Sequence, residues 1–149
     1  MNIINKLLLT IFFILLSNAC MALSTVEESN KETVLSFYQY ALNDKNFSAA
    51  RPYLGEHYIQ HNPLAQDGID GLRKFIEYLD QTYPYSHNEI KRVFSEGDFV
   101  ILHVHSIKEP GTRGEAIIDI FRLENNKIVE HWDVHQLVPE KSANENGMF

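Results

Sequence analysis

Apolar positions along the chain change their period once, near residue 86. Before that point they recur every three or four residues; after it they alternate, which predicts helices followed by strands. Val34, Phe37, Tyr38 and Ala41 form one helical stripe, preceded by two overlapping capping boxes in Ser24-Thr25-Val26-Glu27-Glu28, and the helix should end near Asn43-Asp44. Phe47, Ala50 and Leu54 suggest a short second helix, weakened by Pro52 and stopped at Gly55. Asp67 is placed to cap a third helix in which Ile69, Leu72, Ile76 and Leu79 align with Phe75 alongside, and Pro84 closes it. Period two then predicts four strands, over 87–95, 99–108, 115–124 and 128–138. They are separated by Glu96-Gly97-Asp98, by Pro110 to Gly114 and by Asn125-Asn126-Lys127. Such short turns favour antiparallel neighbours. The pattern is that of an α+β domain, a curved sheet wrapped on helices with room for a pocket between them.

The first residues break this pattern. Met1 to Lys6 carries one positive charge, Leu7 to Leu16 is apolar, and Ser17-Asn18-Ala19-Cys20-Met21-Ala22 is rich in small residues, suited to cleavage after Ala22. The apolar run is short of the roughly 20 residues a membrane span needs. Residues 1–22 therefore read as a signal peptide, 23–139 as one domain and 140–149 as a polar tail. The expected destination is the periplasm or the medium. Cys20 is the only cysteine, so a domain cut after Ala22 has no disulfide, thiol nucleophile or thiolate metal site. Lipidation of Cys20 is the alternative, and only then would the protein be held at a membrane. The formal charge is −7, and the leader removes one base and no acid. An acidic domain without a basic cluster argues against nucleic acid as a partner.

One residue does not fit a core strand. Asp119 lies within Ala116-Ile117-Ile118-Asp119-Ile120-Phe121-Arg122-Leu123, on the face shared by Ile117, Phe121 and Leu123. An ionised carboxylate among branched aliphatics is costly unless it is paired or held neutral. Asp119 is therefore either a satisfied structural charge or a working acid/base. Other polar residues also gather on the strands. His103 and His105 share a face with Phe99, Ile101 and Ile107, while His131, Asp133 and His135 share one with Val129 and Leu137. Glu130 and Trp132 look the other way unless a bulge intervenes. His57 to Pro63 is an extended stretch dense in hydrogen-bonding side chains. Gly97-x5-His103-x-His105-x3-Glu109 matches the first metal-binding stretch of cupins. The next glycine is replaced by Ala116, and the second cupin motif is absent, so no metal is expected.

The mature chain resembles the SnoaL-like polyketide cyclases of the NTF2-like superfamily, closest to the branch predicted to catalyse aldol condensation. The resemblance is carried by Tyr58-Ile59-Gln60-His61-Asn62-Pro63, Ile90-Lys91-Arg92-Val93, His103-Val104-His105, Asp119-Ile120-Phe121-Arg122 and Lys127 to Val134. It implies a cone-shaped α+β fold, three helices on a curved, mainly antiparallel sheet. It also implies a homodimer and no metal or organic cofactor. Asp119 matches the family's general acid/base and His105 the histidine beside it. Tyr58, His61, Asn62, His103, Phe121 and Trp132 would line the cavity around the substrate. The implied chemistry is removal of a proton next to a carbonyl, after which the enolate attacks a second carbonyl. The rival readings are a non-catalytic domain holding a small hydrophobic ligand and, behind it, a metal-dependent cupin-like protein.

Overall fold

The computed structural model describes residues 25–149. The expected leader, Cys20 and Ser24 lie outside the described residues. Helix α1 covers 25–38 and widens into a π-helical turn at Gln39–Asn43. Its stripe is the heart of the core: Val34, Phe37, Tyr38 and Ala41 are at most 2% exposed. Polar side chains then fix the helix against two strand turns. Glu27 accepts from the Gly97 N–H at 2.8 Å, Asn30 donates to the Gly97 carbonyl at 3.2 Å, and Thr33 bonds Asn126 at 2.9 Å.

Helix α2, Phe47–Ala50, is capped by Asn46, whose side chain accepts from the Ala49 N–H. The second helix stops at Ala50, short of the expected Leu54. A 3₁₀ turn at Arg51–Tyr53 holds Pro52, which has no N–H to continue an α-helix. From Leu54 the chain is strand β1, Leu54–Gln60. Gly55 is therefore not a helix stop. A Cβ there would come within 2.7 Å of a Val129 methyl, so glycine permits the close approach of β1 to the last strand. Helix α3, Gly68–Thr82, buries Leu72, Ile76 and Leu79 as its spacing predicts. Asp67 does not cap it through its side chain; the carboxylate accepts from the Gln60 N–H at 2.8 Å, tying the end of β1 to the start of α3.

Strands β2 (His87–Glu96), β3 (Phe99–Ile107), β4 (Glu115–Glu124) and β5 (Lys127–Leu137) form the expected antiparallel meander. The sheet order is β1-β5-β4-β3-β2, with β1 parallel to β5. The architecture is thus α+β as predicted, with a fifth, parallel strand that the four-strand pattern did not contain. Gly114 makes the turn into β4: its φ is +74°, and a Cβ would meet the Ser106 carbonyl at 2.1 Å. The helices cover one sheet face, where Val100, Leu102 and Val104 are fully buried and Phe121 meets Phe37 and Tyr38 edge-on.

The β4–β5 hairpin holds the feature that decides the site. Asn125 and Asn126 both have positive φ, as a two-residue hairpin turn requires. Glu124 pairs with Lys127 and Leu123 with Ile128, but Arg122 pairs with Glu130. One extra residue has entered β5. Ile128 and Val129 are consequently both buried, and the parity of everything beyond them is shifted. Without that bulge, Trp132 would stand opposite Asp119; with it, Asp133 does.

Candidate active site

Asp119 is 4% exposed and projects from the helix-covered face of β4. Two groups hold its carboxylate. The Tyr38 hydroxyl, from α1, donates to Oδ2 at 3.0 Å, and His131 Nε2, diagonally across on β5, lies 3.0 Å from Oδ1. No lysine or arginine is bonded to Asp119 among the described residues. His131 in turn packs against Phe121, ring centroids 4.7 Å apart and the planes tilted by 33°, and its Nδ1 is 3.1 Å from Gln60 Oε1. Gln60 Nε2 donates to the Tyr58 hydroxyl at 3.1 Å. Burial, aided by the Asp119 carboxylate, pushes both Tyr38 and Tyr58 well above an ordinary phenol, so both keep their hydroxyl protons.

A second polar cluster begins one step further along β5. Asp133 accepts twice from the Asn62 side-chain amide, at 2.8 and 2.9 Å, and contacts His135 Nε2 at 3.2 Å. His135 Nδ1 meets Glu115 at 2.7 Å, and Lys108 donates to Glu115 at 3.1 Å. Its hydrogen bond to Asp133, helped by Glu115 and opposed by burial, raises the His135 pKa to about 9. Burial alone would raise Asp133 and Glu115. The hydrogen bonds from His135, with Asn62 or Lys108, outweigh it and hold both below the usual carboxylate range. Two carboxylates thus face one ammonium and one imidazolium, and the cluster closes on itself.

Both clusters line one cavity of about 590 Å³ between the sheet and the helices. Leu42, Leu72, Phe75, Leu79 and Ile117 supply its apolar wall. This is the size and mixture of surfaces of a small-molecule site.

Of the residues expected at the site, Asp119, Tyr58, Asn62 and Phe121 line the cavity. His105, His103, His61 and Trp132 do not. On β3 it is Val100, Leu102, Val104 and Ser106 that point inward, and Leu102 stands directly opposite Asp119. His105 therefore projects from the outer face, bonded to the Arg113 carbonyl at 2.8 Å and stacked on Phe149 at 4.3 Å. His103 contacts Arg92 and Phe149 there. His61 stacks on Trp132 at 4.6 Å and bonds Glu130 at 2.8 Å, also outside. The expected convergence of Asp119, His105 and His61 is replaced by that of Asp119, His131 and Asp133. Both β3 faces carry large apolar residues, so alternation could not say which face was the inner one. The signal for His131 lay in the hairpin: adjacent Ile128 and Val129 are the mark of a bulge.

Asp119, His131 and Asp133 have donor atoms within 4.8 Å of one another, a spacing that a divalent cation could bridge. Each donor already has protein partners, and the Asn62 amide aims N–H groups at Asp133, where a cation would have to displace them.

Fold and cavity together define an NTF2-like cone with an internal polar centre. The model of the SnoaL-like domain family matches residues 34–131, from α1 into β5, and the chain belongs to that family. Solved structures share the architecture. TsrD from Streptomyces laurentii is 20% identical with a TM-score of 0.60, covering 71% of this chain and 87% of that one. A candidate polyketide cyclase from Acidithiobacillus ferrooxidans is 20% identical with a TM-score of 0.61, covering 72% and 87%. A SnoaL-like protein of unknown function from Burkholderia thailandensis is 12% identical with a TM-score of 0.63, covering 74% and 96%. At these identities the likeness is one of fold. No curated protein sequence matches the chain.

Proposed function

We propose that this SnoaL-like domain is an exported acid/base enzyme acting on a small, uncharged, largely apolar carbonyl compound. The observation that carries the reading is the buried Asp119 carboxylate on the wall of an apolar cavity, bonded to a histidine and a phenol but to no permanent cation. A domain that only holds a ligand has no need of such a group, since burying a carboxylate costs stability. Asp119 takes the proton from the carbon beside the carbonyl; the C–H electron pair moves into the enolate, and His131 and Tyr38 hold the carboxylate in place. In the aldol direction the enolate carbon bonds to a second carbonyl carbon of the same substrate; the C=O π pair moves to oxygen, which takes the proton back from Asp119 and regenerates the carboxylate. In the isomerase direction the proton returns at another carbon. His131 replaces His105 as the partner histidine.

The neutral ligand follows from the charges. Among the described residues that line the cavity, Lys108, His135 and His131 are each bonded to a carboxylate, which leaves no unpaired cation for an anionic group. Export rests on the leader pattern and homodimerisation on the family resemblance, with exposed Phe94 and Phe99 on the outer sheet face as surfaces to cover. The ligand-binding rival is separated by α-proton exchange, which a carrier does not promote, with a filled cavity as the control. Ile117→Trp should abolish both ligand retention in native mass spectrometry and exchange of ketone α-protons into deuterated water. Retention of a ligand by the wild type with no exchange in any of a panel of cyclic ketones would favour the carrier.

A further inference from the structure

We infer that Gln60 is a positioning residue that fixes which nitrogen of His131 carries a proton. This inference concerns the acid/base centre proposed above, but its structural half stands without that proposal. The hydrogen bonds around the ring are fixed in turn from one group with no freedom. The Asn62 backbone N–H can only donate, and it meets Gln60 Oε1 at 2.9 Å. That contact settles the orientation of the Gln60 carboxamide, since a flipped amide would set N–H against N–H. With the oxygen so placed, its second lone pair faces His131 Nδ1 at 3.1 Å. An amide oxygen only accepts, so Nδ1 carries a hydrogen.

The contact at the other side of the ring is then determined. His131 Nε2 and Asp119 Oδ1 are 3.0 Å apart; at that distance two unprotonated lone pairs would repel, so one proton lies between them. Either the pair is a carboxylic acid donating to a neutral imidazole, or it is a carboxylate accepting from an imidazolium. Both forms hold the same number of protons. The remaining arrangement, a bare carboxylate held by a neutral imidazole protonated at Nε2 alone, is excluded because it would leave Nδ1 bare against the Gln60 oxygen. Asp119 and His131 thus exchange protons with a ligand as one unit.

The same carboxamide sets a third position. Its Nε2 donates to the Tyr58 oxygen, and no described residue accepts the Tyr58 hydroxyl hydrogen. Tyr58 lines the cavity, so that hydrogen is available to a carbonyl oxygen on the ligand. The placement comes from the parallel strand: Gln60 is the register partner of His131, and the His61 N–H donates to the His131 carbonyl at 3.0 Å.

The test is long-range ¹H–¹⁵N correlation of the His131 ring in the intact protein, which tells a protonated nitrogen from a bare one and needs no substrate. In wild type, Nδ1 should be protonated throughout the pH range in which the amide spectrum is native. Gln60→Leu removes the acceptor, and the Nε2-protonated tautomer should then appear. Gln60→Glu restores an acceptor for both Nδ1 and the Asn62 N–H and should restore Nδ1 protonation, which a merely structural role for Gln60 does not explain. A bare Nδ1 in wild type, or a Gln60→Leu spectrum that keeps Nδ1 protonated, overturns the inference. Should Gln60→Leu fail to fold, the wild-type ring decides alone. Absence of exchange activity in a wild type that shows the expected tautomers would tell against the proposed enzyme and leave this assignment standing.

Discussion

Asp119 and Asp133 face each other across one register pair of β4 and β5, yet their surroundings are opposite in kind. Asp133 belongs to a circuit that neutralises itself, with Asn62, His135, Glu115 and Lys108 pairing each charge with its counterpart. Asp119 has a phenol and one imidazole, and among the described residues nothing permanently positive. A carboxylate whose charge is fully met acts as a clamp between strands. One whose charge depends on where a single proton sits can act as an acid or a base. The contrast assigns structure to the rim of the cavity and chemistry to its depth.

The contrast can be broken most severely at His131. Replacing it with leucine leaves Asp119 buried with only Tyr38, which should cost about 3 kcal/mol, in the range for breaking a buried pair. Adding Asp119→Asn should return a large part of that loss, and urea denaturation of the four-member cycle should give a coupling of roughly 1–3 kcal/mol. Additive losses would mean that the two residues do not interact as described.

At the rim the effect is smaller and depends on pH. The His135 pKa is raised to about 9 in the fold. Its contribution is therefore complete below its unfolded value, about 6.5, and is lost as pH rises through the folded one. His135 is partly solvated, so screening reduces the expected contribution to about 1 kcal/mol. Thermal melts should show wild type losing stability between neutral pH and pH 10, with His135→Gln already low at neutral pH and flat across that window. A variant that keeps the wild-type slope would remove His135 as the origin of the pH dependence. The smallest effect is expected on the outer face, where His105→Ala should change stability by less than about 0.5 kcal/mol and leave exchange unaltered.

Residues with a strong local signal were legible in the sequence. The stripes of α1 and α3 and the four-strand meander follow from period alone, and Asp119 is conspicuous because the two residues on either side of it are all apolar. β1 was read only as an extended stretch from His57 on, because Leu54–Gln60 is short, mixes polar and apolar residues, contains a glycine, and pairs in parallel with a strand some seventy residues later. Local alternation carries no information about such a partner. The partner of Asp119 was misplaced for a related reason. His105 has the right spacing, but its strand is apolar on both faces, and the inner one is fixed by packing against α1. His131 reaches Asp119 only through the single extra residue in β5. Parity is exact at every step of a strand, so one bulge moves every later side chain to the opposite face.

Whether Asp119 is the proton-transferring group of this cavity is decided by substituting it with asparagine. Asparagine keeps the shape of the side chain and removes the base. The measurement is exchange of α-protons of a cavity-bound ketone into deuterated water, read by NMR alongside the affinity for that ketone. Binding should stay within a few-fold of wild type, and exchange should fall by a factor on the order of 10²–10⁴. Exchange at the wild-type rate in a folded, ligand-binding Asp119→Asn protein would contradict that role for Asp119.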